Sequence, residues 1–228
     1  MRIATWNVGD GSEETKSRGL DRLAAAALGC DVICLQEAGD RQRLLGRWCT
    51  ANGWHCWLGT EAGSHSVPIL WNPRTVTAKQ KGTTPATPAT RVGPLGAGPS
   101  TMKPKVWNRV RFTSGGVPVV VINGHIVPSV YLPKRRALAR RHIAVLAQMV
   151  ERRQGRVPVV AVGDFNMKPG DRLTKPLRKF GMKQRTRQPT HGNRLIDHVW
   201  TLDCDGRTEV IAMPSDHRAV VLTIKEKP

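Results

Sequence analysis

Residues Pro158 to Asp171 read "PVVAVGDFNMKPGD". Val159 to Val162 is a run of small and β-branched apolar residues, the composition of a strand buried on both faces. It closes on Gly163, Asp164, Phe165 and Asn166 before Pro169 and Gly170 turn the chain. A strand that merely stops needs a turn and nothing more. This one carries a carboxylate and an amide, two positions apart and so on one side of the chain by the strand period, to the edge of its sheet. The oxygens of Asp164 and Asn166 at such an edge point to a ligand site.

Other strand-like segments end in the same way. Ile3 to Val8 presents Asn7 near its end, and Asp31 to Gln36 is followed by Glu37. "VPVVVINGH", Val117 to His125, finishes on Asn123 and His125. "RLIDHVW" carries Asp197 at a strand start, and "PSDHRAVVLTI" sets Ser215, Asp216 and His217 just before the last strand. Ligands of α/β sheets collect at such edges. Glu37, Asp164 and Asp216 are hard oxygen donors of the kind magnesium prefers. Asn7 and Asn166 add neutral oxygens or amide donors. His125 and His217 titrate near neutral pH, and Asp197 is placed to orient an imidazole. A metal, a proton relay and anion attraction together describe phosphodiester hydrolysis.

Between the strands lie amphipathic helices. The patterning predicts helices over Lys16–Leu28, Arg41–Ala51, Pro133–Arg153 and Arg172–Phe180. Further strands are expected at Trp54–Leu58, Val67–Trp71, Val76–Lys79, Val106–Phe112 and Glu209–Met213, with a hairpin about Ser114-Gly115-Gly116. Lys81 to Pro104 is rich in Gly, Pro and Thr and reads as one long loop. The strand pattern is of one kind on both sides of it, so the expectation is a single domain over 1–228: an α/β sandwich of two sheets faced by helices.

The chain has 228 residues, with 36 Lys plus Arg against 17 Asp plus Glu, a net charge of +19. That balance points to a polyanionic partner. Basic runs at Lys134–Arg141 and Lys175–Arg187, with Lys134, Arg135, Arg136, Arg140, Lys175, Arg178 and Lys179 foremost, are the expected contacts to nucleic acid phosphates. The five cysteines, Cys30, Cys34, Cys49, Cys56 and Cys204, form no CxxC pair and read as reduced thiols. No apolar run approaches the roughly 20 residues of a helical span. Met1 to Trp6 shows no charged leader before an apolar core. The expectation is an intracellular, cytoplasmic monomer.

The ordered motifs "TWNV", "LQE", "NGHIVPS", "GDFN", "LIDHVW" and "SDHRAV" resemble those of the endonuclease/exonuclease/phosphatase superfamily, which includes deoxyribonuclease I-like and exonuclease III-like enzymes. Each motif alone is weak; six in family order between Trp6 and Val220 are specific. The resemblance implies a four-layer α/β sandwich with its site at one end of the sheets. It implies Glu37 as principal magnesium ligand, with Asn7 and Asp216 close by and manganese a substitute. It implies that Asp164 and Asn166 position the attacking water and phosphoryl oxygens, that Asp197 and His217 form an orienting pair, and that His125 lies near the leaving group. Which of Asp164 and His217 takes the proton stays open. One departure stands out. Deoxyribonuclease-like enzymes pair the histidine at His125 with a carboxylate just before an "ILW"-type strand. Here that stretch is Ser64-His65-Ser66-Val67-Pro68, with Glu61 the nearest acid.

Two other classes compete. A lipid or inositol phosphate phosphoesterase shares the motifs and a basic face. A non-catalytic nucleic-acid binder would keep the charge but not the complete set of strand-end donors. His55, His65, His142, His191 and His198 read as structural or surface residues, and Tyr131 as a packing residue.

Overall fold

The computed structural model describes residues 1–9, 12–25, 28–39, 42–92 and 100–225. In chain order the elements are β1 (Arg2–Asn7), α1 (Glu13–Ala24), β2 (Val32–Gln36), α2 (Gln42–Asn52), β3 (His55–Trp57), β4 (Ile69–Trp71) and β5 (Thr77–Thr87). There follow β6 (Thr90–Val92), β7 (Ser100–Met102), β8 (Lys105–Ser114), β9 (Val117–His125), α3 (Pro133–Glu151) and β10 (Val159–Asp164). The chain closes with α4 (Lys175–Lys179), β11 (Lys183–Gln184), β12 (Asp197–Leu202), β13 (Gly206–Ile211) and β14 (Ala219–Ile224).

Two six-stranded sheets result, in the orders β13-β14-β1-β2-β4-β3 and β11-β12-β10-β9-β8-β5. Each has a parallel pair at its centre, β1 with β2 and β9 with β10, flanked by antiparallel neighbours. The sheets meet face to face over Ile3, Cys34, Ile69, Phe112, Val121, Val160 and Val220. Helices α1 and α2 cover the outer face of the first sheet, where Leu20, Leu23, Leu45 and Trp48 pack on Trp6 and Leu35. Helix α3 and α4 cover the second, with Ile143, Leu146, Val150 and Leu177 on Trp107, Ile122 and Trp200. The result is the expected four-layer sandwich. It explains why β2 and β10 are buried at every position rather than alternating: both faces of each are covered.

Buried amides clamp the sheets together beneath the site. Gln36 Nε2 donates to Asn123 Oδ1 at 2.8 Å, and Asn123 Nδ2 donates to the carbonyls of Leu35 and Pro68 at 2.8 and 2.9 Å. A buried amide left unpaired would cost about 1–3 kcal/mol, so this network fixes which strand ends face each other.

The long loop expected at Lys81–Pro104 is corrected. Lys81 to Thr87 continues β5, which pairs antiparallel with β8 despite Pro85, because β5 is an edge strand. Thr90–Val92 and Ser100–Met102 form a small separate ribbon. Gly93 to Pro99 of that expectation, and Arg41 at the expected start of α2, lie outside the described residues. The buried stripe of α3 runs through Arg135, Ala139, His142, Ile143, Leu146 and Val150, while Leu138 and Val145 on its flank are only partly buried. No disulfide joins the five cysteines among the described residues. No helix among the described residues is long and apolar enough to cross a membrane.

Candidate active site

The parallel centre of each sheet ends at the same side of the sandwich, and the chemistry collects there. β1 delivers Asn7, β2 leads into Glu37, β9 ends on His125 and β10 on Asp164, with Asn166 just beyond. β12 begins at Asp197, directly opposite Asp164, and His125 pairs with Asp164 on the other side. The turn before β14 supplies Asp216 and His217. Two of these residues have left-handed backbone, Glu37 at φ 58° and Asn166 at φ 52°. Non-glycine residues seldom adopt it, and such strain gathers where a side chain must be aimed.

Asn7 Nδ2 bridges the sheets, donating to Asp164 Oδ2 at 3.1 Å and to Glu37 Oε1 at 3.3 Å. Its Oδ1 accepts from the Gly9 amide at 3.0 Å. Asp164 is buried, and its Oδ1 accepts from the Asn166 amide at 2.8 Å. Burial, with the charge of Asp197 beside it, raises the Asp164 carboxyl above the usual range, against the opposing pull of His217 and its amide donors. His217 Nδ1 meets Asp197 Oδ2 at 2.9 Å, and ligand atoms of Asp164, Asp197 and His217 lie within 4.8 Å of one another. Burial disfavours protonation of His217, but the Asp197 hydrogen bond and the surrounding carboxylates outweigh it and raise its pKa. Ser215 locks the turn: its single O–H is shared between the carbonyls of Asn7 at 3.1 Å and His217 at 2.8 Å, and its Oγ accepts from Trp6 Nε1 at 2.9 Å.

His125 sits across from this pair. Its Nε2 lies 3.6 Å from Asp164 Oδ2 and 3.8 Å from Glu37 Oε1, with Asn166 Nδ2 at 3.1 Å. Its Nδ1 faces not a carboxylate but the Lys105 ammonium, at 3.4 Å. Both ring nitrogens therefore face donors, and burial together with the Lys105 charge holds the His125 pKa well below its ordinary value. Lys105 itself is drawn down to about 8 by burial, which the charges of Asp164 and Glu37 partly oppose. The sequence departure before β4 thus has a structural counterpart: a cation occupies the position beside His125. Glu37, His125 and Lys105 line one cavity of about 290 Å³ together with Lys103 and Pro128.

Every residue expected at the site is brought to this end of the sandwich. Three were not anticipated. Lys105 was hidden in an apolar strand context, Lys105-Val106-Trp107. His191, read as structural or surface, donates from Nε2 to Asp216 Oδ2 at 3.0 Å and stands edge-on to His217 at 4.5 Å between ring centroids. Arg194 backs it, with NH2 at 2.8 Å from His191 Nδ1. Their signal lay in their place just upstream of Asp197, within "THGNRLID". His198, by contrast, is a core residue stacked on Phe165, and His142 packs on Trp107. Among the expected phosphate contacts, Arg135 is buried and bonds the Pro128 carbonyl, so it is withdrawn from the surface. Arg136 is paired with Asp171, and Arg178 with the Pro169 carbonyl and Thr174. Lys134, Arg140, Lys175 and Lys179 remain exposed.

The profile of the Endonuclease/Exonuclease/phosphatase family matches residues 4–217. No curated protein matches the chain significantly. Among solved structures, an endonuclease/exonuclease/phosphatase from Bacteroides vulgatus superposes with a TM-score of 0.76 at 15% identity, covering 99% of this chain and 98% of the other. D. rerio TDP2 complexed with single-strand DNA product superposes with a TM-score of 0.74 at 14% identity, covering 99% of each. The mannosyl-6-phosphatase Bt3783 of Bacteroides thetaiotaomicron does so with a TM-score of 0.72 at 16% identity, covering 99% of this chain and all of the other. At such identities the superpositions speak for the fold, while the family match and the strand-end residues speak for the chemistry. From Ala4 to His217 the chain belongs to the endonuclease/exonuclease/phosphatase family of phosphoesterases.

Proposed function

We propose that the protein is a divalent-cation-dependent phosphodiesterase that hydrolyses nucleic acid, DNA first among the candidates. One observation carries the reading: acids and amides from both sheets converge on a single edge in a chain whose net charge is +19. Acids gathered there hold a cation, and the basic remainder attracts a polyanion.

Glu37, Asn7 and Asp216 are the residues that would hold the cation. Their donors are oxygens, which suits magnesium, with manganese as substitute. The Glu37 and Asp216 side chains are 47% and 63% exposed, so both carboxylates retain acceptor capacity toward the pocket. Bound there, the cation supplies charge neutralisation on the phosphoryl oxygens and lowers the pKa of water. The protein supplies the rest. Asp164 orients the attacking water in line with the scissile bond and takes its proton, a task suited to a carboxyl raised toward neutrality. His217, whose charged form Asp197 favours, stabilises the charge that develops on the phosphoryl group. Asn166 and neutral His125 position its oxygens, and Lys105 adds a charge on the leaving-group side.

The reading is tested by incubating labelled single-stranded DNA, duplex DNA and RNA with the protein in magnesium. Cleavage is expected, lost with a chelator and with Glu37→Gln. Turnover of an inositol phosphate or a sugar phosphomonoester with no nucleic acid cleaved would replace it by the phosphatase reading. Against a lipid substrate, the large hydrophobics exposed among the described residues are only Val117 and Tyr131, too few to seat in a bilayer.

A further inference from the structure

Strand β8 carries a row of cations away from the active site. Side chains two apart share a strand face, so Lys105, Trp107, Arg109 and Arg111 lie on one side. That side is the one covered by α3, as the Trp107 contact with His142 shows. Lys105 is at the active site. Arg109 and Arg111 stand about 13 and 20 Å farther along at about 3.3 Å per residue.

At the far end the row meets the C-terminal end of α3. Arg109, Arg111, Arg152, Arg153 and Arg156 line one cavity of about 330 Å³, and no acidic residue lines it. None of the five takes part in an ion pair among the described residues. Burial, with the charges of Arg109 and Arg152, holds the Arg153 guanidinium below its usual range. The folded chain therefore keeps like charges together with nothing of opposite sign between them, a cost that a bound polyanion would offset. The cluster is not isolated. A second cavity, of about 260 Å³ and lined by Glu61, Pro85, Thr87, Lys105 and Arg141 among others, lies farther along β5, beginning at Pro85, the residue after Thr84 of the first. Through Lys105 it joins the cavity of Glu37 and His125.

We propose that the seam between β5, β8 and α3 is a track for the phosphate backbone of a single-stranded polynucleotide, anchored at the arginine cluster and leading to the scissile phosphate at the metal-binding edge. This deepens the reading of the protein as a nuclease and rests on it. Guanidinium groups take phosphates through paired N–H donors. The track offers no exposed aromatic platform, so it reads charge and not sequence.

The test uses the full chain and the variant Arg111→Ala/Arg152→Ala/Arg156→Ala, whose side chains are exposed and outside the catalytic edge. Binding of fluorescein-labelled oligothymidylates of graded length is followed by anisotropy in chelator. The long oligomer is expected to lose about tenfold or more in affinity, and its slope of log K against log salt to fall by about 2, near 0.7 for each single-strand phosphate contact removed. A trinucleotide should bind parent and variant alike, and hydrolysis of bis(p-nitrophenyl) phosphate in magnesium should not change. Equal affinity and slope in parent and variant overturn the track while leaving the nuclease reading intact. Arginine-dependent binding without cleavage of any nucleic acid keeps the track and overturns the nuclease. Loss of binding to phosphatidylserine vesicles but not to oligomers overturns it in favour of a membrane surface.

Discussion

Asp164 is the residue with most at stake. Its pKa is raised by burial and by Asp197, so the folded state holds its proton more tightly than the unfolded chain does. Stability from this group is full at low pH and is lost as pH rises from the ordinary carboxylate range toward neutrality. His217 has the same sign: its raised pKa contributes stability that is full below the unfolded histidine value and fades as pH rises through the folded one. In chelator these two groups give a melting temperature that falls as pH rises, a slope opposed by buried His125, His142 and His198, whose lowered pKa values stabilise the fold as pH rises. Asp164→Asn should remove part of that slope and raise Tm at pH 8 by about 3 °C, roughly 1 kcal/mol for a chain of this size, while cutting kcat by about 10²–10⁴. A Tm at pH 8 below that of the parent would refute the assignment of strain to this carboxyl. With Asp216 as the proposed cation ligand, His191 is expected to act through it, touching it at 3.0 Å with Arg194 behind. His191→Ala is expected to raise the magnesium concentration for half-maximal rate about 10-fold or more, with kcat at saturating metal little changed. Direct Mn2+ titration by electron paramagnetic resonance should show the same weakening, and His191→Gln should restore much of it.

At the scale of elements, the site depends on how closely β9 and β10 run. Gly163 has φ 141° and its backbone passes Gly124 so closely that a Cβ would sit 1.9 Å from the Gly124 carbonyl oxygen. No side chain yields there, because the obstacle is backbone. Gly163→Ala should spread the two strands at the point where they present His125 and Asp164 side by side. A loss of about 3 kcal/mol or more, seen as a drop in Tm, and near-complete loss of activity are expected. A Gly163→Ala protein with parental Tm would show that the strands can separate without cost. Gly46, on α2 with open space around it, serves as control: Gly46→Ala should hold or raise stability by up to about 1 kcal/mol.

At the scale of the whole molecule, on the proposed nuclease reading, the charge asymmetry is expected to govern rate. Cleavage of a long nucleic acid should fall steeply between 50 and 200 mM salt, by about 10³ or more in apparent affinity if six or more phosphates are contacted. Hydrolysis of a small neutral-tailed diester should barely respond, since short contacts inside the pocket are weakly screened. Equal salt sensitivity of the two substrates would remove the basic surface from the account. How the two sheets are built was legible beforehand: fully apolar runs such as Val159–Val162 could only be strands covered on both faces, and each carried a polar residue out at the same end. That the candidate site residues gather at one edge was legible for the same reason, because buried strands of one orientation carry their terminal carboxylates and amides to the same side. What the chain could not disclose was which basic side chains stand beside them. Lys105 meets His125, and His191 meets Asp216, only because β8 pairs with β9 and the Thr190–Arg194 turn folds back over His217. Nor could local pattern reveal that Lys81–Thr87, full of turn-forming residues, extends an edge strand: pairing with β8 overrode its local preference. The amino-acid order alone determined the layers and the acids at their edge, since burial and period are local properties; folding in three dimensions decided the basic side chains around them, since contacts between distant segments are not.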